Sequence, residues 1–160
     1  MDRRVGGKKI IVIMLVCCFA LGGCKGEGDF APQGVDPTLD ICHKCKMSIV
    51  DAAFVGQYID ESGQGYKFDD IGCMINYFKS DNDAEKNAKA IYIMGYDTGT
   101  WLKVKEAYFV KGTLNTPMSS GIVAVSITGE AQSLADRIHG EIYSWEEIKD
   151  VHGTKPMDPM

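Results

Sequence analysis

Between Asp40 and Met47 the chain places two cysteines, a histidine and a methionine, as Cys42-His43-Lys44-Cys45-Lys46-Met47. A Cys-x-x-Cys pair can close a small disulfide loop, exchange disulfides or hold a soft metal. A thioredoxin-like redox pair belongs at a strand-to-helix junction in a βαβ setting. Here Gly- and Pro-bearing sequence precedes the pair and β-like sequence follows it. A c-type haem site needs His directly after the second cysteine, and Lys46 stands there. A zinc ribbon needs a second cysteine pair, and Cys73 with a histidine would complete four ligands only by coincidence. A Cys42–Cys45 disulfide and a metal site both stay open. Met47 adds a thioether. On an extended segment Cys45 and Met47 point to one side. A thiolate with a thioether favours Cu(I) over hard cations, and zinc has little use for methionine. Methionine is also a common filler of core gaps, so Met47 alone decides nothing.

The second such stretch is Asn115-Thr116-Pro117-Met118-Ser119-Ser120-Gly121, a polar loop before an apolar run. Core periodicity does not explain Met118, and loops at strand ends often carry binding residues. The other candidates read more plainly. His43 reads as a solvated loop residue beside the cysteines, and His139 as a cap at a helix end. His152, Met157 and Met160 fall in a tail, and Asp81, Asp83 and Glu85 read as a solvated face.

The elements that must position these residues follow from periodicity. Residues 54–59 and 66–69 alternate, with turn chemistry in 60–65, and read as a hairpin. Asp69 or Asp70 can cap a helix running to about Lys79, with Ile71, Met74, Ile75 and Phe78 on one face. The charged stretch Asp81–Lys89 breaks the pattern. Ala90–Met94, Ala107–Val110 and Gly121–Thr128 read as strands. Residues 130–139 form an amphipathic helix with Gly140 as its stop, and Ser144-Trp145-Glu146-Glu147 is a capping box opening a last helix. The order is β-β-α, then β-β-β-α-α, with hairpin-then-helix occurring twice. The class is α+β with small antiparallel sheets.

The chain opens with Arg3, Arg4, Lys8 and Lys9 and a 12-residue uncharged run, Ile10–Leu21. A helix of that length falls short of the ~30 Å hydrocarbon core, so residues 1–23 read as a signal peptide. Leu21-Gly22-Gly23-Cys24 resembles a bacterial lipobox, with Cys24 as the lipidated residue. Residues 24–39 then read as lipid anchor and flexible tether, 40–152 as the folded domain and 153–160 as a frayed tail. The leader carries away four basic residues and one acid, Asp2, of the chain's 17 and 22. The 137-residue mature part keeps 13 basic and 21 acidic residues, a formal net of −8. That argues against a nucleic-acid partner. Cys17 and Cys18 leave with the leader, so Cys42, Cys45 and Cys73 remain for chemistry. Three is odd, which excludes a complete disulfide framework.

The lipobox, the Cys-x-x-Cys-x-Met start, Phe68-Asp69-Asp70-Ile71-Gly72-Cys73 and Thr116-Pro117-Met118, in this order, resemble the NosL family. Trp101 and the Ala107–Val110 strand are similar to it too. The family consists of extracytoplasmic copper chaperones serving nitrous-oxide reductase. The resemblance implies two small related ββα-type lobes with antiparallel sheets, similar to the metal-binding part of organomercurial lyase. It implies a Cu(I) site with Cys45, Met47 and Met118 as ligands and Cys42 as an additional or alternative one. Helix packing is the simpler role for Cys73. Where the family commonly has Gly before the first methionine and after the later one, this chain has Lys46 and Ser119.

The expected function is a copper chaperone and not an enzyme, anchored by its lipid to the outer side of the cytoplasmic membrane, to the outer membrane, or to the surface of a Gram-positive cell. Lys25 follows the lipid cysteine, with no Asp to mark inner-membrane retention. The implied partners are a copper donor at the membrane and, as acceptor, nitrous-oxide reductase or its assembly ABC transporter. The rivals are a thiol–disulfide oxidoreductase using Cys42 and Cys45, a structural lipoprotein with an inert disulfide and, lowest, a mercury- or zinc-binding relative of organomercurial lyase.

Overall fold

The computed structural model describes residues 30–152. The leader, Cys24 and the tail from 153 lie outside the described residues. Strands β1 (Gly56–Ile59) and β2 (Gly65–Phe68) form the expected hairpin. Its turn is held by the Asp60 carboxylate, which accepts from the Ser62 and Gln64 amides at 2.8 and 3.0 Å. Helix α1 (Ile71–Ser80) follows, capped by Asp70, whose side chain accepts from the Gly72 amide at 2.6 Å. Its apolar face is the expected one: Ile71, Met74, Ile75 and Phe78 are buried.

The charged stretch after it is not irregular. It contains helix α2 (Asn82–Asn87), capped by Asp81 and burying no residue. A helix held by its cap and by acids at its N-terminus, Asp83 and Glu85, has no apolar stripe, so periodicity does not reveal it. Strand β3 (Ala90–Met94) pairs with β1, and β4 (Trp101–Lys103) with β3, giving an antiparallel sheet of order β2-β1-β3-β4.

The second lobe repeats the pattern. Strands β5 (Tyr108–Lys111) and β6 (Ile122–Val125) pair antiparallel, and helix α3 (Thr128–Ile138) follows. Strand β7 (Glu141–Tyr143) returns to β5, for an order β6-β5-β7. In each lobe the first strand is central, flanked by its hairpin partner and by the strand after the helix. The ββα duplication is therefore real, with a third strand in each copy. β4 and β7 escape sequence reading because three residues are too few to show alternation. Helix α4 (Trp145–Val151) closes the domain through a complete capping box of Ser144 and Glu147.

β6 ends at Val125, short of the expected Thr128: Ile127 is exposed and Thr128 opens α3. His139 caps α3 as expected, itself taking the left-handed turn (φ 52°) that Gly140 was expected to make.

The two lobes share one core. Phe68, Ile71, Met74 and Ile93 of the first pack with Phe109, Ile122, Ala124, Trp145 and Ile148 of the second. The alternate residues Val110, Val123 and Val125 turn to the other side, beneath Ala131, Leu134 and Ile138 of α3. β5 and β6 are thus covered on both faces, which is why Ile122–Val125 reads as an unbroken apolar run.

The stretch expected to run as a tether up to residue 39 is, from Phe30 on, laid against the first lobe. The Tyr92 hydroxyl donates to the Phe30 carbonyl at 3.0 Å, the Gln33 amide to Gln57 Oε1 at 2.7 Å and Lys67 Nζ to the Gly34 carbonyl at 2.6 Å.

Candidate metal centre

The Cys42–Met47 segment is a tight loop docked on β2. The Cys42 amide donates to the Met47 carbonyl at 2.8 Å and the Lys46 amide to the Cys42 carbonyl at 3.0 Å. The His43 amide donates to the Lys67 carbonyl at 2.7 Å, and Lys67 Nζ pairs with Asp40 at 2.6 Å. Lys46 adopts φ 64°, in the left-handed region. The segment is therefore not extended, and the expectation that Cys45 and Met47 share one side through simple alternation loses its premise. Cys42 is fully buried, Cys45 partly, and Met47 is 48% exposed.

The second half of the site is the β2–α1 junction. Asp70 lies on extended backbone (φ −150°, ψ 142°), so its side chain and that of Asp69 diverge. Asp70 Oδ2 accepts from the Thr116 hydroxyl at 2.6 Å and from the Met118 amide at 3.1 Å. The Met118 loop is thereby fastened to the start of α1. Met118 is 41% exposed, and Ser119 beside it takes φ 56°. Asp69 turns the other way, where its Oδ2 accepts from the Cys45 thiol at 3.5 Å. Its Oδ1 is buried without a hydrogen-bond partner.

Donor atoms of Cys42, Cys45, Asp69 and Cys73 all lie within 4.8 Å of one another. Cys73, expected to serve helix packing, is brought to the cysteine loop by the first buried turn of α1. Asp69, read as one of two possible helix caps, is instead a member of this group. Neither was singled out as a donor, because both lie more than 20 residues from Cys45 in sequence. The only available signal was their place in one short motif, Asp69-Asp70-Ile71-Gly72-Cys73. All three described cysteines are free, so the Cys42–Cys45 disulfide is not formed.

Mutual contact splits the thiols electrostatically. A hydrogen bond from Cys73 holds the Cys42 thiol down to about 6, against burial, which pushes it up. That same contact with Cys42, together with burial, raises Cys73. Burial is the main cause raising Cys45. One thiolate, on Cys42, is thus the favoured charge of the metal-free cluster.

Two histidines are placed otherwise than expected. His43 is only partly solvated. Its ring meets Tyr66 edge-on at 4.8 Å and Tyr77 at 5.0 Å, and burial lowers its pKa, helped by Lys46. His152 is not in a loose tail. It packs against α1 at Gly72, where a β-carbon would come within 2.8 Å of its Nε2 and 2.6 Å of Ser120 Cβ. Lys79 Nζ donates to the His152 carbonyl.

This fold and site define a small two-lobed α+β domain presenting soft donors, the class of thiol-based metal-binding domains. Within that class, the family model described as NosL matches residues 37–152, and the chain belongs to the NosL family. Among solved structures the fold matches the copper chaperone NosL from Shewanella denitrificans, with a TM-score of 0.66. Identity to it is 19%, over 73% of this chain and 94% of that one. No curated protein matches significantly.

Proposed function

We propose that this protein is an extracytoplasmic Cu(I) carrier, lipid-anchored through Cys24, that hands copper to a cuproenzyme under assembly. The observation that carries this reading is the gathering of three free thiols within 4.8 Å of one another beside the motif that ends in exposed Met47. Family membership and the copper chaperone among its structural matches support the same reading. Cys45 and Met47, with Met118 from the tethered loop and Cys42 behind, are the proposed ligands. The poised Cys42 thiolate supplies negative charge to the entering ion. The exposed thioethers leave room for a partner's ligand, so copper passes by ligand exchange without full release. The proposed acceptor is nitrous-oxide reductase or its assembly ABC transporter, and the proposed donor a copper source at the membrane. No helix among the described residues is long and apolar enough to cross a membrane.

The geometry disfavours the oxidoreductase rival. A reactive cysteine combines a lowered pKa with exposure. Here the lowered thiol, Cys42, is fully buried, while the more accessible Cys45 is raised.

An anaerobic Cu(I) titration of the chain from Gly26 onward, against a chromogenic Cu(I) chelator, tests the reading. Expected is tight one-to-one retention, weakened by Met47→Leu and Met118→Leu and largely lost with Cys45→Ser. Retention indifferent to both methionines, or none at all, overturns it.

A further inference from the structure

The two arms that flank the cysteine loop form a short antiparallel ribbon. Ile41 pairs with Ser48, and the Ile49 amide donates to the Asp40 carbonyl at 3.0 Å. Side chains alternate along such a ribbon, and its inward face serves the core: Cys42 and Ile49 are fully buried. The other face of an antiparallel pair, where it meets water, is ordinarily polar. Here it carries Leu39, Ile41 and Val50. At 78, 58 and 73% they are the three most exposed large apolar side chains among the described residues. None is a ligand in the copper reading, and none joins the core. Apolar side chains gathered on one exposed face mark a contact surface.

We propose that Leu39, Ile41 and Val50 lie against a lipid surface, as a second membrane contact that sets which way the domain faces. The choice of lipid as occupant rests on the Cys24 anchor of the reading above, and the path of the chain makes the connection. Gln57 pairs with Lys67 on one side and Tyr92 on the other, so these three share the outer face of the first sheet. Phe68 and Ile93, which pair with Gly56, turn to the core. Residues 30–40 are strapped across that outer face: Tyr92 holds Phe30, Gln57 holds Gln33, and Lys67 holds Gly34 and Asp40. The strap runs directly into the ribbon, and Leu39 and Ile41 line one groove with Gln33. Cys24 and Phe30 are six positions apart, a span of at most about 20 Å. A domain of this size is about 35 Å across. A lipid on Cys24 therefore keeps the strapped side close to the bilayer, and the ribbon adjoins that side. Charge does not decide the contact, because exposed Lys44 and Lys46 stand against exposed Asp36 and Asp51. Apolar area carries it, as in interfacial elements that seat aliphatic side chains about 5–10 Å into the headgroup boundary.

The test uses the protein as purified from membranes, placed in phosphatidylcholine nanodiscs that contain a lipid with a spin-labelled headgroup. Broadening of backbone amide NMR signals then reads nearness to the bilayer residue by residue. The expected result is that amides of residues 39–41 and 48–50 broaden most and those of α3, beyond the second sheet, least. The pattern should persist at high salt, since apolar area and not charge carries the contact. Leu39→Ser, Ile41→Ser and Val50→Ser together should abolish the difference between the ribbon and the rest of the first lobe. The three side chains are exposed, so the variant keeps its fold, which the unchanged shifts of β5–β7 verify; the wild-type map needs no variant. Broadening centred elsewhere, spread evenly over the wild-type domain, lost at high salt or unmoved by the triple replacement overturns the proposal. The mass of the same protein tests the anchor separately. An unacylated chain whose ribbon broadens sinks the Cys24 reading and keeps this contact. An acylated chain whose ribbon does not broaden keeps the anchor and sinks this contact.

Discussion

The Thr116 hydroxyl donates to Asp70 Oδ2 at 2.6 Å across 46 positions of sequence, and through this bond the second lobe's methionine loop is fixed to the first lobe's helix. Both residues are buried, so the bond is not interchangeable with one to water. Thr116→Val leaves Asp70 Oδ2 only the Met118 amide and should destabilise the domain by about 1–3 kcal/mol. Urea unfolding of the metal-free protein measures this. Cu(I) retention should fall in the same variant, because Met118 is no longer held in place. A variant with unchanged stability and retention would show that the loop is positioned by something else.

Lys46 and Ser119 both sit in the left-handed region, at φ 64° and 56°. These are the two positions where the resembled family commonly has glycine. A side chain there costs about 1 kcal/mol, partly offset by the chain entropy glycine loses on folding. Lys46→Gly and Ser119→Gly should each raise stability by about 0.5 kcal/mol in a denaturant titration. Lys46→Gly should also raise the His43 pKa, since Lys46 helps to lower it, but not to the ordinary value, because burial is the larger cause. An NMR titration of the ring reads that shift.

The metal-free cluster should ionise at one thiol before the others. Cys42 titrates near 6 and Cys45 and Cys73 above the ordinary value of 9.0. Ultraviolet thiolate absorbance should therefore show a single step near pH 6, absent in Cys42→Ser. Cys73→Ala removes the donor and should move that step upward. The folded pKa of Cys42 lies below its unfolded value, so its contribution to stability is full above about 9 and is lost as pH falls through about 6. The stability of wild type should climb from pH 6 toward 9 more steeply than that of Cys42→Ser. Equal slopes would mean that Cys42 is not the preferred thiolate.

Gly72→Ala should be disruptive out of proportion to one methyl group. The added carbon meets Ser120 Cβ at 2.6 Å and His152 at 2.8 Å, and the Ser120 side is short and inflexible. Overpacking of this kind costs about 1–3 kcal/mol. It should also lift the 116–120 loop away from α1, lowering Cu(I) retention. A Gly72→Ala protein as stable and as retentive as wild type would show that the loop yields freely.

Sequence alone was sufficient for the elements with clear periodicity or caps. The hairpin turn at Asp60–Gln64, the Asp70 cap of α1, the α3 stripe and the Ser144 capping box all act within a few residues, so local spacing determines them. It determined the class of chemistry too, since two thiols and a thioether in six residues restrict the ion before any fold exists. What it could not determine was the membership of the centre. Cys73 and Asp69 join the cysteines only because the start of α1 lies against the Cys42–Cys45 loop, and His43 and His152 are partly buried against elements distant in sequence. The backbone sign at Lys46, which cancels simple alternation between Cys45 and Met47, is likewise imposed by the closed loop. Spacing reports which residue types are available over a few positions. Which of them face one another, at what depth and with which proton removed, depends on long-range packing, and only the tertiary structure decided it.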